Sequence, residues 1–163
     1  MKVLFTYLSF LLLMASFTAQ AQQLNVTKND KTAQHNAWLK QQFSEQHQNL
    51  MPIVAVADML YSCNKERKVE PVNYKLNDLI VNMDKNRLAE KLSVCLKDDN
   101  MQSSVALNFG LLGCFHEQLS HLPEVERQHK MALVNKAILS LSLSERKKSF
   151  TQCVSAQAMH YLQ

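Results

Sequence analysis

The residue types best suited to covalent chemistry in this chain are its four cysteines, Cys63, Cys95, Cys114 and Cys153. An even number of cysteines in an exported chain points to two disulfides. A zinc centre would require closely spaced Cys-x-x-Cys-type pairs, and none occurs. Cys114 and His116 are two positions apart, which on a helix points them about 200° apart, a poor chelate. Catalytic disulfide exchange of the thioredoxin type would also need Cys-x-x-Cys, so it is not expected. No metal ligand is assigned.

The remaining chemistry-bearing patterns are sparse. No Gly-x-Ser-x-Gly elbow, His-Glu-x-x-His helix, P-loop or EF-hand loop occurs. The two glycines, Gly110 and Gly113, leave no material for a Gly-rich phosphate cradle. His116 and His121 are five apart, about 140° around a helix, and do not face one ligand. Glu117 and His121 are four apart and can meet, which suits a surface pair better than an acid–base couple. Met59, Met83 and Met131 fall in or beside apolar stripes and read as core filler rather than a soft-metal surface. No catalytic residue and no cofactor is assigned, and the expected protein is not an enzyme.

The compartment follows from the N-terminus. Met1 and Lys2 give a short positive start, Val3 to Phe17 is an apolar run, and Ala19-Gln20-Ala21 offers small residues at both peptidase positions. Residues 1–21 are therefore expected to be a cleaved signal peptide, leaving a periplasmic or extracellular protein. Fifteen apolar-type residues span only about 22 Å as a helix, short of a hydrocarbon core of roughly 30 Å. No later stretch suits a stable membrane insertion. Losing Lys2 takes the 18 basic residues to 17 against 14 acidic, a mild balance. The runs Lys65-Glu66-Arg67-Lys68 and Arg146-Lys147-Lys148 lack interleaved aromatics, so they read as solvated helix ends and not as a nucleic-acid surface.

Helices must position these residues. Two glycines and three prolines are too few for a many-turned β fold, and the apolar spacing is helical. The expected fold is all-α: a single compact bundle of six or seven helices, disulfide-stabilised, over residues 32–163. Residues 22–31 are polar and are expected to form a flexible arm. A first helix covers about Thr32–Leu50, with Trp38 beside its stripe as either a core anchor or an exposed recognition residue. Pro52 then suits the first turn of a second helix, whose stripe is Ile53, Val56, Leu60 and Cys63. A short third helix covers about Asn73–Met83. Asp84 can cap a fourth carrying Leu88, Leu92, Cys95 and Leu96.

A fifth helix starts near Ser103 or Ser104. It is apolar on two sides, so it should be central. Its two glycines each cost about 1 kcal/mol relative to Ala, which suggests close approach of a neighbouring helix next to Cys114. Pro123 starts a sixth helix with Met131, Val134, Ile138 and Leu141 on one face. Ser142-Leu143-Ser144-Glu145 fits a capping box for the last, where Phe150, Cys153, Val154, Gln157 and Tyr161 share a face.

The order helix-with-Cys, short helix, capped helix-with-Cys occurs twice. Asp84 and Ser142 each stand 11 residues before a cysteine. A duplicated pair of helical units would favour Cys63–Cys95 and Cys114–Cys153 among the three possible pairings.

These features favour a non-enzymatic exported protein that binds another protein, such as an inhibitor, an immunity-type partner or an accessory factor. In size and class the chain resembles helical, disulfide-bonded immunity proteins against cell-wall amidases, a resemblance of architecture alone. A recognition face should include aromatics; the candidates are Trp38, Phe43, Tyr61 and Tyr74. A homodimer is a further option. Two alternatives are a carrier of a small apolar ligand between Phe109, Leu112, Phe115 and Phe150, and a periplasmic chaperone or stress protein.

Overall fold

The structure, a computed structural model, describes residues 19–162, with side chains from residue 31 onward. The expected signal peptide lies outside the described residues as far as residue 18. Among the described residues there are six helices and no strand: α1 Ala19–Arg67, α2 Leu76–Val81, α3 Lys85–Leu96, α4 Ser104–Gln118, α5 Glu124–Ser140 and α6 Leu143–Tyr161. No helix among them is long and apolar enough to cross a membrane.

Local chemistry sets several of these boundaries. Asp84 caps α3 by accepting from the backbone N–H groups of Asn86 at 2.9 Å and Arg87 at 3.2 Å. Ser103 caps α4 through the N–H of Ala106 at 3.0 Å. Ser142 and Glu145 form the reciprocal capping box at the start of α6. Each cap satisfies donors that the first helical turn leaves orphaned.

Three boundaries differ from the sequence expectation. Residues 22–31 lie inside α1; Gln, Leu and Lys, half of that segment, are good helix formers, so a polar composition alone does not end a helix. The helix also runs through Pro52 without a break. The proline ring is exposed and its fixed φ is helical, so one donor is lost while the ladder closes on either side. Finally, α2 is six residues long, because Asn73 and Tyr74 belong to a connector held by Asn64.

The chain divides at Ser44/Glu45 into two compact units, so the compact bundle begins later than residue 32. In the first unit the side chains of residues 31–40 are all exposed. Trp38 is 55% and Phe43 40% exposed, and the rings of His35 and Trp38 stack with centroids 6.0 Å apart. These residues add nothing to a core, which is why the apolar bundle does not start with them.

The second unit is built on Leu60, Leu79, Leu88, Leu92, Leu96 and Leu111, all essentially sealed from solvent. Helix α4 is the central element: it buries Ala106, Leu107, Phe109, Leu111 and Cys114 and packs on both α5 and α6. Its glycines are the points of closest approach. A Cβ on Gly113 would collide with the Asp58 carbonyl oxygen and lie 2.7 Å from that residue's Cα and C. A Cβ on Gly110 would instead meet the ring of Phe150.

Two disulfides cross-link the bundle. Cys63–Cys95 ties α1 to α3 and Cys114–Cys153 ties α4 to α6, each with Cα atoms 6.2 Å apart. Such cross-links fit an oxidising environment, extracellular or periplasmic. The two halves share the order helix, intervening helix, capped helix, although α5 has 17 residues where α2 has six. Only Ile138 of α5 is fully buried; Val125 and Leu139 are 82% and 71% exposed.

Candidate functional site

A cleft of about 770 Å³ opens at the C-terminal end of α1. Tyr61, Lys65 and Lys68 reach it at intervals of four and three residues, the spacing that aligns side chains along one helical face. Lys68 carries a positive φ of 49°, which turns the chain out of the helix into the connector. Asn64, buried in the same turn, holds that connector from inside. Its amide donates to the carbonyls of Glu70 at 3.2 Å and Val72 at 3.0 Å, and its Oδ1 accepts from the Glu70 N–H at 2.8 Å.

The connector presents Glu70 and Tyr74 to the cleft. The Tyr74 hydroxyl donates to Glu70, whose carboxylate also takes Lys91 Nζ at 2.7 and 2.8 Å. Lys91 and the Tyr74 hydroxyl together hold the Glu70 carboxyl below its usual range. The far wall is His116 of α4 with Glu124 and Arg127 of α5. Arg127 pairs with Glu124 and donates to the Ser120 carbonyl at 3.3 Å.

His116 is the junction of the cleft. Lys65 Nζ lies 2.8 Å from its Nε2 and the Tyr61 hydroxyl 3.0 Å from the same nitrogen. An ammonium can only donate, so Nε2 accepts and the ring is neutral. Burial, and then the positive charges of Lys65 and Arg127, push His116 down to about 4. Burial and Arg127 lower Lys65 as well. The cations crowd one another, and among the described residues Lys65 and Lys68 form no ion pair.

Arg67 departs from its basic neighbours. It turns inward to the carbonyls of Cys95 at 2.9 Å and Leu96 at 2.7 Å and pairs with Asp99 at 3.0 Å. It therefore closes the C-terminus of α3 next to the disulfide, where a cation also complements the helix dipole.

A second polar group lies inside the bundle. Asp58 is sealed from solvent and its Oδ1 accepts from Gln157 Nε2 at 3.2 Å. The other oxygen of each group, Asp58 Oδ2 and Gln157 Oε1, has no partner among the described residues. Burial pushes the Asp58 carboxyl well above the usual range, more than the Gln157 hydrogen bond lowers it; the charge of Glu117 adds to the rise. Burial thus favours the protonated acid, whose hydroxyl supplies a donor in a pocket where two oxygens otherwise only accept. Tyr161, near Glu117 and Asp58, is pushed up to about 12, chiefly by burial.

Of the four recognition candidates, Tyr61 and Tyr74 meet in the cleft, while Trp38 and Phe43 are in the other unit. From the sequence, His116 is considered only as a metal ligand and Lys65 only within a solvated basic run, and nothing signals Arg127 or Asp58. Lys65 is 51 residues from His116, so no local pattern joins them. Asp58 lies two positions from both Val56 and Leu60, on the side of the helix opposite the expected stripe, beside the buried Val54 and Ala57. Of the residues suggested for a ligand cavity, Phe109 lies under Arg67 at 5.3 Å and Phe150 packs on Gly110, while Phe150 and Leu112 also line two separate openings of about 390 and 270 Å³. Among the described residues no three His, Cys, Asp or Glu side chains gather as a metal site. No family model, no curated protein and no solved structure matches this chain.

Proposed function

We propose that this chain is a non-enzymatic protein of the periplasm or extracellular space that binds another protein through the Tyr61–Tyr74 cleft, in the manner of an inhibitor, an immunity-type protein or an accessory factor. The carrying observation is the cleft itself: it gathers two tyrosines and an arginine, residue types that dominate binding energy at interfaces. Its walls are fixed before any partner arrives. Asn64 holds the connector, Glu70 holds Tyr74, and Cys63–Cys95 ties α1 to α3 beneath them. Preorganisation of this kind lowers the ordering cost of association. The disulfides and the export-type N-terminus support the compartment.

The test is affinity capture with the full exported chain, identification of what is retained by mass spectrometry, and titration of that purified protein. Replacing Tyr61 and Tyr74 together by alanine should weaken binding at least tenfold, about 1.4 kcal/mol or more. A captured protein whose affinity is unchanged in the double variant would remove the cleft from the interface. Retention of a small apolar molecule in place of a protein would favour the carrier reading.

A further inference from the structure

We propose that the wall formed by Lys65, His116 and Arg127 receives a carboxylate from an acidic side chain of the bound protein. This rests on the reading above, since it names what the partner presents to the cleft. The argument begins with charge. The acids that border the cleft are already engaged, Glu70 by Lys91 and Tyr74, and Glu124 by Arg127 and Gln128. Lys65 and Lys68 have no carboxylate among the described residues. Lys65 is nevertheless drawn in over the Tyr61 ring, 5.6 Å from its centroid, and spends a donor on a neutral imidazole. Lys65 and Lys68 thus line the cleft without a carboxylate partner among the described residues, beside an Arg127 held by Glu124.

Geometry supports the same conclusion. Arg127 is held by Glu124, which lines the same cleft, and by the Ser120 carbonyl, so its guanidinium does not need to be ordered by the ligand. Tyr61 adds a hydroxyl beside Lys65 at the imidazole. A singly charged carboxylate suits this site better than a phosphate dianion, because Glu70, Glu117 and Glu124 stand nearby and repel added negative charge. An opening of about 770 Å³ admits an acidic side chain with its flanking backbone.

Binding and protonation are then linked. The groups facing His116 are Tyr61 and Lys65 from α1 and Arg127 with Glu124 from α5; Glu117 stands next to it on its own helix. A carboxylate placed among them offsets the repulsion from Lys65 and Arg127 and favours the imidazolium, whose ring can then donate. Affinity for an acidic segment should therefore rise as pH falls from about 7 to about 5, above the range around 4.3 in which glutamate side chains themselves take up protons.

The test uses the full exported chain with its disulfides intact, a short polyglutamate peptide as probe, and NMR of the His116 ring. Polyglutamate should shift the His116 resonances and raise its titration midpoint above about 4. Lys65→Gln should weaken the peptide at least tenfold without lowering the melting temperature, because Lys65 is exposed and makes no core contact. An unmoved His116 midpoint, or equal affinity in Lys65→Gln, overturns the proposal. Tighter binding of inorganic phosphate than of polyglutamate overturns the choice of carboxylate. A partner that is captured through Tyr61 and Tyr74 while polyglutamate fails to bind rejects this inference alone; polyglutamate binding with no captured partner rejects the protein-binding reading and, with it, the assignment of the carboxylate to a partner protein.

Discussion

Replacing Gly113 by alanine is the sharpest probe of how the bundle is assembled. In an isolated helix the change would stabilise by about 1 kcal/mol, because glycine is the poorer helix former. Here the new methyl group would lie 2.7 Å from the Asp58 Cα and C, where ordinary contact begins at 3.4 Å. The two backbones must therefore separate by more than about 0.7 Å, since the Asp58 carbonyl oxygen is nearer still. No rotamer change relieves the clash, since the obstacle is the main chain of α1. Separation is also resisted on both sides: Cys114, the next residue, is disulfide-bonded to α6, and Cys63 ties α1 to α3. Overpacking in a well-filled core costs typically 1–3 kcal/mol, and a rigid obstacle belongs at about 3. Offsetting the helix gain of about 1 leaves a net loss of about 2 kcal/mol, or roughly 8 °C in melting temperature for a domain of this size. Gly110→Ala is the internal control, because its methyl group meets only the Phe150 ring, which can swing. The assay is thermal and urea unfolding of the oxidised proteins followed by far-UV circular dichroism. If Gly113→Ala melts at or above the parent, or if the two variants lose equal stability, the close approach of α1 and α4 is not what selects glycine there.

Asp58 gives a pH-dependent prediction. Its folded carboxyl titrates well above the unfolded one, so its contribution to stability is full below the unfolded value near 3.8 and is lost as pH rises through the folded value. Asp58→Asn keeps an oxygen that accepts from Gln157 Nε2 and has no titrating group. The variant should match the parent in acid and exceed it in alkali in urea titrations across that range; a difference independent of pH would contradict a buried carboxyl that stays neutral in the folded protein. The disulfides give a third expectation. Bridges spanning 32 and 39 residues restrict the unfolded chain by about 4 kcal/mol each on chain-entropy grounds. Reduction should therefore unfold most of the second unit at 37 °C, and a reduced protein that keeps its melting temperature would show that the bridges contribute little.

The features legible in the sequence are those whose physics is local. Asp84, Ser103 and Ser142 announce their helices because a cap joins groups two or three residues apart. The two-sided apolar pattern of α4 marks it as central because no partly exposed helix can afford two apolar faces. Pro52 misleads for the converse reason: its preference for a first turn is real, yet a single missing donor is too small a perturbation to divide a helix that continues on both sides. Trp38 shows the same limit, since its apolar bulk does not reveal that the bundle begins after it.

The amino-acid order therefore determined an all-helical chain, its main caps, its cysteines and the glycines where helices could touch. Tertiary structure decided which face of α1 turns inward, burying Asp58 against Gln157 from 99 residues away. It also brought Lys65 to His116 across 51 residues to make the cleft. The physical reason is that periodicity locates a helical face only to within one residue's rotation of about 100°. The close approach of Gly113 to the Asp58 backbone and the Cys63–Cys95 bridge are two of the contacts that settle that rotation, and both join residues far apart in the chain.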